Sequence, residues 1–440
     1  MNTQYHERNI SMVMDMYELT MSNGYLNQGF KDTWVAFDVF YRNNPDNGGF
    51  AIFAGLQQVV EYIENLHFSE EDVEYLRSKR LFTEEFLEYL LHFRFRGDIY
   101  AMKEGTVMYP NEPVITVVAP LIDAQLIETT ILLEINHQSL IATKTNRIVQ
   151  AANGKPVSDF GARRAHNVDA AVYGARAAYI GGAAGTATVL AGKMFHIPIS
   201  GTMAHSWVMT FDSEYDAFKA YAESYPDGTV LLVDTYDVLK SGVPNAIRTA
   251  REVLEPMGKK LIGIRLDSGD LAYLSKEARK MLDEAGLSDC MIVASNSLDE
   301  YTISSLNRQG AKIDSYGVGE RLITSSSTPV FGAVYKLVAI QKDGKFIPKI
   351  KISETAEKIT NPGIKEVYRV YDENGKAVAD YLAVKGEQIR DLEPVRYVDP
   401  VNYWKNRSFV GCRFKKLQVP VFEKGKRIYD LPDIEEIRQY

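Results

Sequence analysis

The pattern of apolar and polar positions is most regular between residues 158 and 320, where short apolar runs alternate with amphipathic helical segments. The runs recur about every 20 to 40 residues, which is the length of a βα unit. Six such units in tandem favour a closed or nearly closed parallel barrel over an open sheet. The six runs are SDF at 158, IPIS at 197, TVLLVD at 229, LIGIRLD at 261, MIVAS at 291 and IDSYGVG at 313.

The segments on either side of these units have a different pattern. The N-terminal part mixes amphipathic helices with runs rich in aromatic and β-branched residues, which predicts an α+β domain. Near the C-terminus, strand-like runs from Lys365 to Val384 predict a hairpin that turns at Asn374-Gly375. We therefore predict an α/β protein with an N-terminal α+β domain over 1–120, an irregular TIM-like barrel with the active site over 121–340, and a segment over 341–440 that packs back on the N-terminal domain.

Composition and charge exclude several classes of protein. The chain has 440 residues with 58 acidic and 50 basic side chains, a formal net charge of -8, which argues against general nucleic-acid binding. Its two cysteines, Cys290 and Cys412, are too few for a disulfide framework and lack the paired spacing of a zinc site. The N-terminus has no apolar signal core and no stretch of 18 apolar residues occurs, so we expect a cytoplasmic protein without a membrane association.

Polar residues and glycines follow each of the six apolar runs. In parallel α/β folds, ligands bind beyond the carboxyl ends of the strands, so these residues are candidates for one common site. In strand order they are Asp159, Phe160, Gly161 and Arg163; Thr202 and His205; Asp234; Arg265, Asp267, Ser268 and Asp270; Ser295 and Asn296; and Gly317 and Gly319.

The combined chemistry of these residues suits a phosphorylated sugar. Glycine loops and helix N-termini bind phosphate through backbone N–H groups, and carboxylates bind ribose hydroxyls or a divalent cation. Structural alternatives remain for each feature. His205 could be a core histidine, and DSGD at 267 could cap the following helix. Arg265 and Asp267 could form a structural ion pair. Neither GxGxxG nor GxxxxGK[ST] occurs, so the residue types indicate a phosphate ligand without specifying it.

Several longer motifs resemble the nicotinate phosphoribosyltransferase family. DMYELTM at 15 and FYRNNP at 40 are similar to family motifs in the N-terminal part. The remaining matches lie, in order, at the predicted strand ends: DFGARR at 159, GTATVLAG at 185, GTMAHSW at 201, VDTYD at 233, IRLDSGD at 264, SNSLDE at 295 and YGVGERL at 316.

The resemblance implies a type II phosphoribosyltransferase of NAD salvage that acts as a head-to-tail homodimer with shared active sites. Such an enzyme joins nicotinate to 5-phosphoribosyl 1-pyrophosphate, giving nicotinate mononucleotide and pyrophosphate. Mg2+ is the implied cofactor, held mainly by the substrate pyrophosphate. ATP is a co-substrate, hydrolysed through a phosphohistidine that matches His205.

The resemblance also implies roles for individual residues. Glu320 departs from the family pattern. Because a carboxylate facing a phosphate is unfavourable, Glu320 weakens the assignment of the glycine loop to the 5-phosphate. The implied roles are ribose binding for Asp267, positioning of substrate or metal for Asp234, contacts with nicotinate and phosphate for Arg163 and Arg265, substrate binding for Thr202, stacking on the pyridine ring for Phe160 and for Tyr17 from the second subunit, a pyrophosphate contact across the dimer for Arg42, and the 5-phosphate pocket for Ser295, Asn296, Gly317 and Gly319.

Three other functions remain as alternatives. The nicotinamide-specific relative carries an aspartate in the run matching GTATVLAG, where this chain has Ala187, so the sequence favours the acid substrate. Quinolinate phosphoribosyltransferase is typically shorter and lacks the phosphohistidine motif. A non-catalytic phosphosugar-binding protein would keep the pocket and show no turnover, and the intact set of His205, Asp267 and Arg265 argues against it.

Overall fold

The computed structural model describes residues 8–352, 360–399, 402 and 404–440. The chain forms two compact units: unit 1 comprises Met1–Leu140 and Val330–Tyr440, and unit 2 comprises Ile141–Pro329. The three-part division into domains at 120 and 340 stays a prediction. In the described part of the chain, no helix combines the length and the apolar character that crossing a membrane requires.

Unit 1 begins with helices that alternate with short strands. Its first part contains α1 (Met16–Asn27), β1 (Trp34–Phe40), β2 (Ala51–Ile52), α2 (Leu56–Asn65), α3 (Glu70–Ser78), α4 (Glu84–Leu91), β3 (Asp98–Met102), β4 (Val107–Met108), β5 (Ile115–Pro120), α5 (Leu121–Gln125) and the start of α6 (Glu128–Ala151).

Unit 2 follows within α6 and alternates short strands with helices. It contains β6 (Val157–Asp159), α7 (Val168–Ile180), β7 (Gly185–Thr186), α8 (Val189–Phe195), α9 (His205–Thr210), α10 (Glu214–Ser224), β8 (Val230–Leu232), α11 (Val243–Thr249), β9 (Gly263–Leu266), α12 (Leu271–Glu284), β10 (Met291–Ala294), α13 (Glu300–Arg308), β11 (Ser315–Val318) and α14 (Glu320–Ile323).

Unit 1 resumes after residue 329 and consists mainly of strands. These are β12 (Val334–Lys342), β13 (Lys345–Pro348), β14 (Lys365–Tyr371), β15 (Ala377–Val384), β16 (Val395–Val398), β17 (Asn406–Phe409), β18 (Arg413–Lys416), β19 (Gln418–Glu423) and β20 (Lys426–Arg427), followed by α15 (Ile434–Gln439). The predicted hairpin is confirmed, because β14 pairs with β15 in antiparallel register.

The main sheet of unit 1 has seven strands in the order β13-β12-β1-β5-β3-β19-β20. Strand β1, WVAFDVF, is buried along almost its whole length, as its β-branched and aromatic residues favour. One side chain in the middle of it, Asp38, is charged and buried. The Lys365 ammonium lies 2.8 Å from Asp38 and also donates to the carbonyl oxygens of Asn361 and Gly363. All three ammonium donors are therefore used, as burial of a charge requires.

Unit 2 is built on a parallel sheet of six strands in the order β7-β6-β11-β10-β9-β8. Five of the six predicted strands are confirmed as β6, β8, β9, β10 and β11. The sixth, IPIS, forms only an isolated parallel bridge between Ile199 and Thr186, while β7 lies inside GTATVLAG, where no strand was predicted. Among the described residues, no strand pairing joins β7 to β8, the two edge strands of this sheet. Closure of the barrel therefore stays a prediction.

A helical segment after β8 packs unusually close to the sheet. It opens with a π-helical turn, Val238–Gly242, capped by Asp237, which accepts bonds from the N–H groups of Leu239 and Lys240. A Cβ atom added at Gly242 would overlap the Val233 carbonyl oxygen and lie 2.7 Å from its carbonyl carbon. The absence of a side chain at Gly242 therefore lets the helical segment reach the end of β8.

We predict that Gly242→Ala destabilises the protein by about 2 kcal/mol or more, since the backbone of β8 cannot move aside as a flexible side chain would. Gly228→Ala is the matched control, because a Cβ there meets no atom within 4 Å, and it should change stability by less than about 0.5 kcal/mol. Urea unfolding of both variants measures the difference. Equal midpoints would contradict the close approach.

Candidate active site

The predicted site residues lie at one edge of the parallel sheet in unit 2. Strands β6, β11, β10, β9 and β8 are consecutive neighbours, and parallel strands present their carboxyl ends on the same side. Residues distant in sequence are thereby brought into adjacent positions. From one strand to the next they are Asp159 and Phe160, Gly317 and Gly319, Ser295 and Asn296, Asp267, and Asp234.

His205 is the first residue of α9 and stands between two of these strand ends. Its Nδ1 lies 3.0 Å from the Thr235 hydroxyl, and its Nε2 lies 3.8 Å from Asp267 Oδ2. The imidazole is held on both sides but remains 40% exposed, so it is not a core histidine. Sequence reasoning missed Thr235, although it directly follows Asp234 in the VDTYD motif.

Asp234 is a buried carboxylate that joins the ends of β8 and β9. Its Oδ2 accepts hydrogen bonds from the Asp267 N–H at 3.0 Å and the Ser268 hydroxyl at 2.5 Å. Its Oδ1 is buried and has no hydrogen-bond partner among the described residues. A buried oxygen of this kind normally has a partner, so Oδ1 is suited to a donor or cation supplied by a ligand.

The two carboxylates of the DSGD sequence, Asp267 and Asp270, have different partners. Asp270 caps α12 by accepting from the N–H groups of Ala272 and Tyr273. Asp267 instead accepts a hydrogen bond from the buried Ser295 hydroxyl and faces His205. The helix-cap interpretation is therefore correct for Asp270 and does not account for Asp267.

Arg265 supplies a partly buried positive charge close to Asp267 and Asp234. Its Nη1 donates to the Thr202 hydroxyl, and its Nε is buried without a partner among the described residues. Burial lowers the pKa of the Arg265 guanidinium, and the neighbouring Arg163 acts in the same direction, whereas Asp267 and Asp234 oppose the shift. A desolvated guanidinium with a second cation nearby is suited to an anionic ligand.

Phe160 is seated by two glycines on the neighbouring strand. A Cβ at Gly317 would overlap the Phe160 ring, and a Cβ at Gly319 would lie 3.1 Å from the Phe160 carbonyl oxygen. The Phe160 N–H also donates to the Val318 carbonyl at 2.8 Å. These glycines therefore make room for Phe160, a role that the sequence prediction did not include.

Asp159 fixes the turn that carries Phe160. This fully buried carboxylate accepts from the Gly161 N–H and the Thr186 hydroxyl, each at 2.8 Å. Burial raises the pKa of Asp159, and the two hydrogen bonds oppose the rise. The Asp159 carbonyl accepts from the Ala187 N–H at 2.8 Å, which leaves the small side chain of Ala187 exposed just beyond β7.

The two loops expected to bind phosphate have distinct local structures. Asn296 and Ser297 both adopt left-handed backbone conformations, with φ of 81° and 51°. Such strain in residues other than glycine is typical of functional loops. In the second loop, Glu320 pairs with Arg164 at 3.4 Å, and both side chains are 62% exposed. The Glu320 charge is thus balanced by a neighbouring cation.

Two further predicted site residues, Tyr17 and Arg42, belong to unit 1. Burial and the nearby Glu128 carboxylate raise the pKa of Tyr17. Burial lowers the pKa of Lys336, and Arg42 and Lys351 are close enough to lower it further. Unit 1 therefore holds a basic cluster of Arg42, Lys336 and Lys351, of which only Arg42 was predicted. Neither lysine was among the predicted site residues.

The described residues contain no group of three or more histidine, cysteine, aspartate or glutamate side chains able to hold a metal ion. Asp267 lies 3.8 Å from His205, and Asp234 is joined to Asp267 by a hydrogen bond from the Asp267 N–H. Two carboxylates suit a hard cation that receives its other oxygen ligands from a substrate.

Family models match nearly the whole chain. The model described as the nicotinate phosphoribosyltransferase (NAPRTase) N-terminal domain matches residues 12–136. The model of the nicotinate phosphoribosyltransferase (NAPRTase) family matches residues 156–375, and that of the nicotinate phosphoribosyltransferase C-terminal domain matches residues 364–440.

Individual relatives are also similar over most of their length. Nicotinate phosphoribosyltransferase of Bacillus subtilis (strain 168) is 48% identical over 437 residues, 99% of this chain and 89% of that protein. Nicotinate phosphoribosyltransferase of Dictyostelium discoideum is 37% identical and aligns with 98% of this chain and 82% of its own length. The crystal structure of human nicotinic acid phosphoribosyltransferase superposes with a TM-score of 0.86 at 28% identity, covering 97% of this chain and 92% of that chain.

We predict that Gly317→Ala displaces the Phe160 ring and destabilises the protein by about 1–3 kcal/mol, the usual effect of overpacking. Phe160→Ala combined with Gly317→Ala should be less destabilised than the sum of the single changes, because the smaller side chain relieves the overlap. Gly201→Ala, where a Cβ meets no atom within 4 Å, is the control. Additive effects in chemical unfolding would show that the ring and the glycine are not in contact.

Proposed function

This chain belongs to the nicotinate phosphoribosyltransferase family, and we propose that it forms nicotinate mononucleotide and pyrophosphate from nicotinate and 5-phosphoribosyl 1-pyrophosphate, with ATP hydrolysis coupled through a phosphohistidine at His205. One observation carries the proposal: His205 lies between the Thr235 hydroxyl and the Asp267 carboxylate. The ribosyl and phosphoryl steps thus share one network of side chains.

Transfer of the ribosyl group depends chiefly on positioning and charge. Positive charge develops at C1 of the ribose as pyrophosphate leaves, and the pyridine nitrogen of nicotinate attacks that carbon. Asp267, held by Ser295, binds the ribose hydroxyls, and the Arg265 and Arg163 guanidiniums bind the nicotinate carboxylate and phosphate. Fixed charges in a partly desolvated site stabilise such a transition state without reorganising during the reaction.

Stacking and phosphate binding complete the proposed substrate site. Phe160, held against Gly317, stacks on the pyridine ring, and Tyr17 of the second subunit stacks on the opposite face. The 5-phosphate binds at Ser295, Asn296, Gly317 and Gly319, where strand ends offer backbone N–H groups.

Mg2+ is the proposed cofactor. It supplies charge neutralisation on the pyrophosphate when bound. Asp234, whose Oδ1 has no hydrogen-bond partner in the described part of the chain, and Asp267 are the residues that would hold the ion or its water ligands. Thr202 and Arg265 orient the anionic substrate beside them.

ATP hydrolysis is proposed to act through His205. The neutral imidazole is a competent nucleophile toward the γ-phosphoryl group, so the N–P bond forms as the bond to ADP breaks, and water later cleaves the N–P bond to give phosphate. Coupling requires that the phosphorylated form bind substrates more tightly than products. The contacts of His205 with Thr235 and Asp267 could couple phosphorylation to substrate binding, because a phosphoryl group on His205 would disturb both contacts.

The dimer and the closed barrel are part of this proposal. Large apolar side chains are exposed in segments that follow β7: Val189 at 67%, Ile199 at 62% and Met209 at 66%. An interface with a second subunit would remove such side chains from water. We propose that a second subunit covers them and supplies Tyr17 and Arg42, and that the six-stranded sheet is the major part of an irregular barrel.

We predict that incubation with γ-labelled ATP gives an acid-labile label on the wild-type protein and none on His205→Ala. The variant should also lose the ATP-stimulated part of nicotinate turnover and keep a slow ATP-independent rate, since the ribosyl site remains intact. His92→Ala is the control, because His92 is an exposed histidine paired with Glu88. A label that resists acid, or that persists in His205→Ala, would exclude the phosphohistidine.

We predict that Ala187→Asp lowers kcat/KM for nicotinate by at least about tenfold and gives measurable turnover of nicotinamide. Two unit charges about 4 Å apart interact by roughly 4 kcal/mol at an effective dielectric of about 20. A new carboxylate therefore repels the acid and accepts a hydrogen bond from the amide.

The control is Ala184→Asp, which adds the same charge to an exposed alanine just before β7, at the opposite end of the strand. Its ratio of acid to amide turnover should equal that of the wild type. If Ala187→Asp leaves this ratio unchanged, residue 187 does not face the substituent. A wild-type preference for nicotinamide would favour the nicotinamide-specific alternative, and ligand binding without any turnover would favour the phosphosugar-binding alternative.

A further inference from the structure

One ion pair joins the two loops at which the 5-phosphate is proposed to bind. The first loop is residues 295–299, between β10 and α13, and the second is residues 317–319, at the end of β11. Arg321 Nη1, in the short helix α14 that follows the second loop, lies 2.6 Å from Oδ2 of Asp299, the last residue of the first loop. Charge-assisted hydrogen bonds of this length are among the strongest in proteins. The pair therefore ties one loop to the other.

Asp299 uses its two carboxylate oxygens for two different partners. Oδ1 accepts a hydrogen bond from the Thr302 N–H at 2.8 Å and so caps α13, while Oδ2 accepts from Arg321. Burial acts to raise the pKa of Asp299, but the hydrogen bonds from Thr302 and Arg321 outweigh burial and lower the pKa. The carboxylate is therefore charged at neutral pH, and its position is set by both α13 and α14.

The first loop needs such an anchor because its backbone is strained. Asn296 and Ser297 both have left-handed φ values, at 81° and 51°. Strain of this kind persists only where the surrounding structure holds the chain in place. Ser295 holds the beginning of the loop through its hydrogen bond to Asp267. The ion pair of Asp299 holds the end of the loop.

A separate set of contacts holds α13 against α6. Glu300, the first residue of α13, is a buried carboxylate that pairs with Lys144 at 2.9 Å and with Arg147 at 3.1 Å. Lys144 also donates to the Ser327 hydroxyl at 2.7 Å, in the segment that follows α14. Because these contacts do not involve Arg321, we expect loss of the ion pair to disturb the two loops without unfolding the helices behind them.

We propose that Arg321 and Asp299 are positioning residues for the 5-phosphate of 5-phosphoribosyl 1-pyrophosphate, which hold the two loops at a fixed separation. This inference rests on the proposed function, in which both loops bind that phosphate. Backbone N–H groups bind a phosphate when they converge on it, and a loop that is already ordered binds with a smaller loss of conformational entropy. Arg321 acts through Asp299 and the loops, and is not itself the phosphate ligand.

Steady-state kinetics of Asp299→Asn and Arg321→Ala tests the proposal. Asparagine caps a helix as well as aspartate does, so Asp299→Asn keeps the cap of α13 and removes only the charge that binds Arg321. Each variant should raise the KM for 5-phosphoribosyl 1-pyrophosphate by about tenfold, the effect of losing one hydrogen bond to a charged group, with kcat and the KM for nicotinate changing less than about twofold. The double variant should equal the single variants rather than multiply their effects. Arg321→Lys, which keeps the charge but loses the planar fork of donors, should be intermediate.

The control is Arg308→Ala, because Arg308 is an exposed arginine in the last turn of the same helix, α13. Its kinetic constants should be those of the wild type. A raised KM in Arg321→Ala beside an unchanged or lowered KM in Asp299→Asn would overturn the proposal, because it would show that Arg321 contacts the phosphate directly. Losses of similar size in kcat and in the KM for nicotinate would also overturn it, since they indicate a general structural role.

Calorimetric binding of ribose 5-phosphate tests the same inference without turnover. The Kd should rise by about tenfold in Asp299→Asn and in Arg321→Ala and stay at the wild-type value in Arg308→Ala. Equal affinity in the four proteins, or no binding by the wild type, would overturn the proposal. Absence of nicotinate turnover in a wild-type protein that binds ribose 5-phosphate would instead overturn the proposed function, and the binding measurements would still test the ion pair.

Discussion

The hydrogen bonds accepted by the buried carboxylate of Asp234 are the interactions on which the rest of the site depends. They join the end of β8 to the turn after β9, so that Asp267 and Ser268 have fixed positions. The next residue, Thr235, contacts His205, and Asp267 in turn contacts both His205 and Ser295. One carboxylate thereby relates three strand ends and one helix. Networks of this kind are rigid when every member is satisfied. Oδ1 of Asp234 has no partner among the described residues, which is why we propose that a ligand completes the network there.

Close packing also holds the backbone that carries this network. Gly242 allows a π-helical turn to reach the carbonyl of Val233, one residue before Asp234. Toward the opposite edge of the sheet, at the end of β6, the buried Asp159 carboxylate fixes the turn that carries Phe160. Close backbone packing and buried hydrogen bonds, rather than surface ion pairs, therefore hold the site residues in place. Interiors packed in this way tolerate little displacement.

The strands of unit 2 were predictable from the sequence because each is a short apolar run followed by polar residues. Five of six were identified in this way, whereas β7 was missed, since Gly185 and Thr186 form a strand too short to give a periodic pattern. Ile199 gave the opposite error: its apolar run forms only one bridge. The strand ends also predicted the residues that gather at one edge of the sheet.

What the sequence did not provide were contacts between residues far apart in the chain. Thr235 and His205 are 30 positions apart, and no local pattern links them. Lys336 lies in β12 and Lys351 lies after β13, and the effect of Arg42 and Lys351 on Lys336 follows only from the fold of unit 1. Local propensity predicts elements, while the pairing of side chains is a tertiary property.

The fit between Phe160 and Gly317 links two parts of the site that are usually considered separately. The glycine belongs to the strand end that we propose binds the 5-phosphate, and the ring belongs to the strand end that we propose stacks on the pyridine ring. Neither can be altered alone, because a larger residue at 317 moves the ring and a different ring leaves a gap beside the glycine. Selection for a new aromatic substrate would therefore have to proceed through paired substitutions, one directly after β6 and one on β11, which makes this part of the fold slow to diversify.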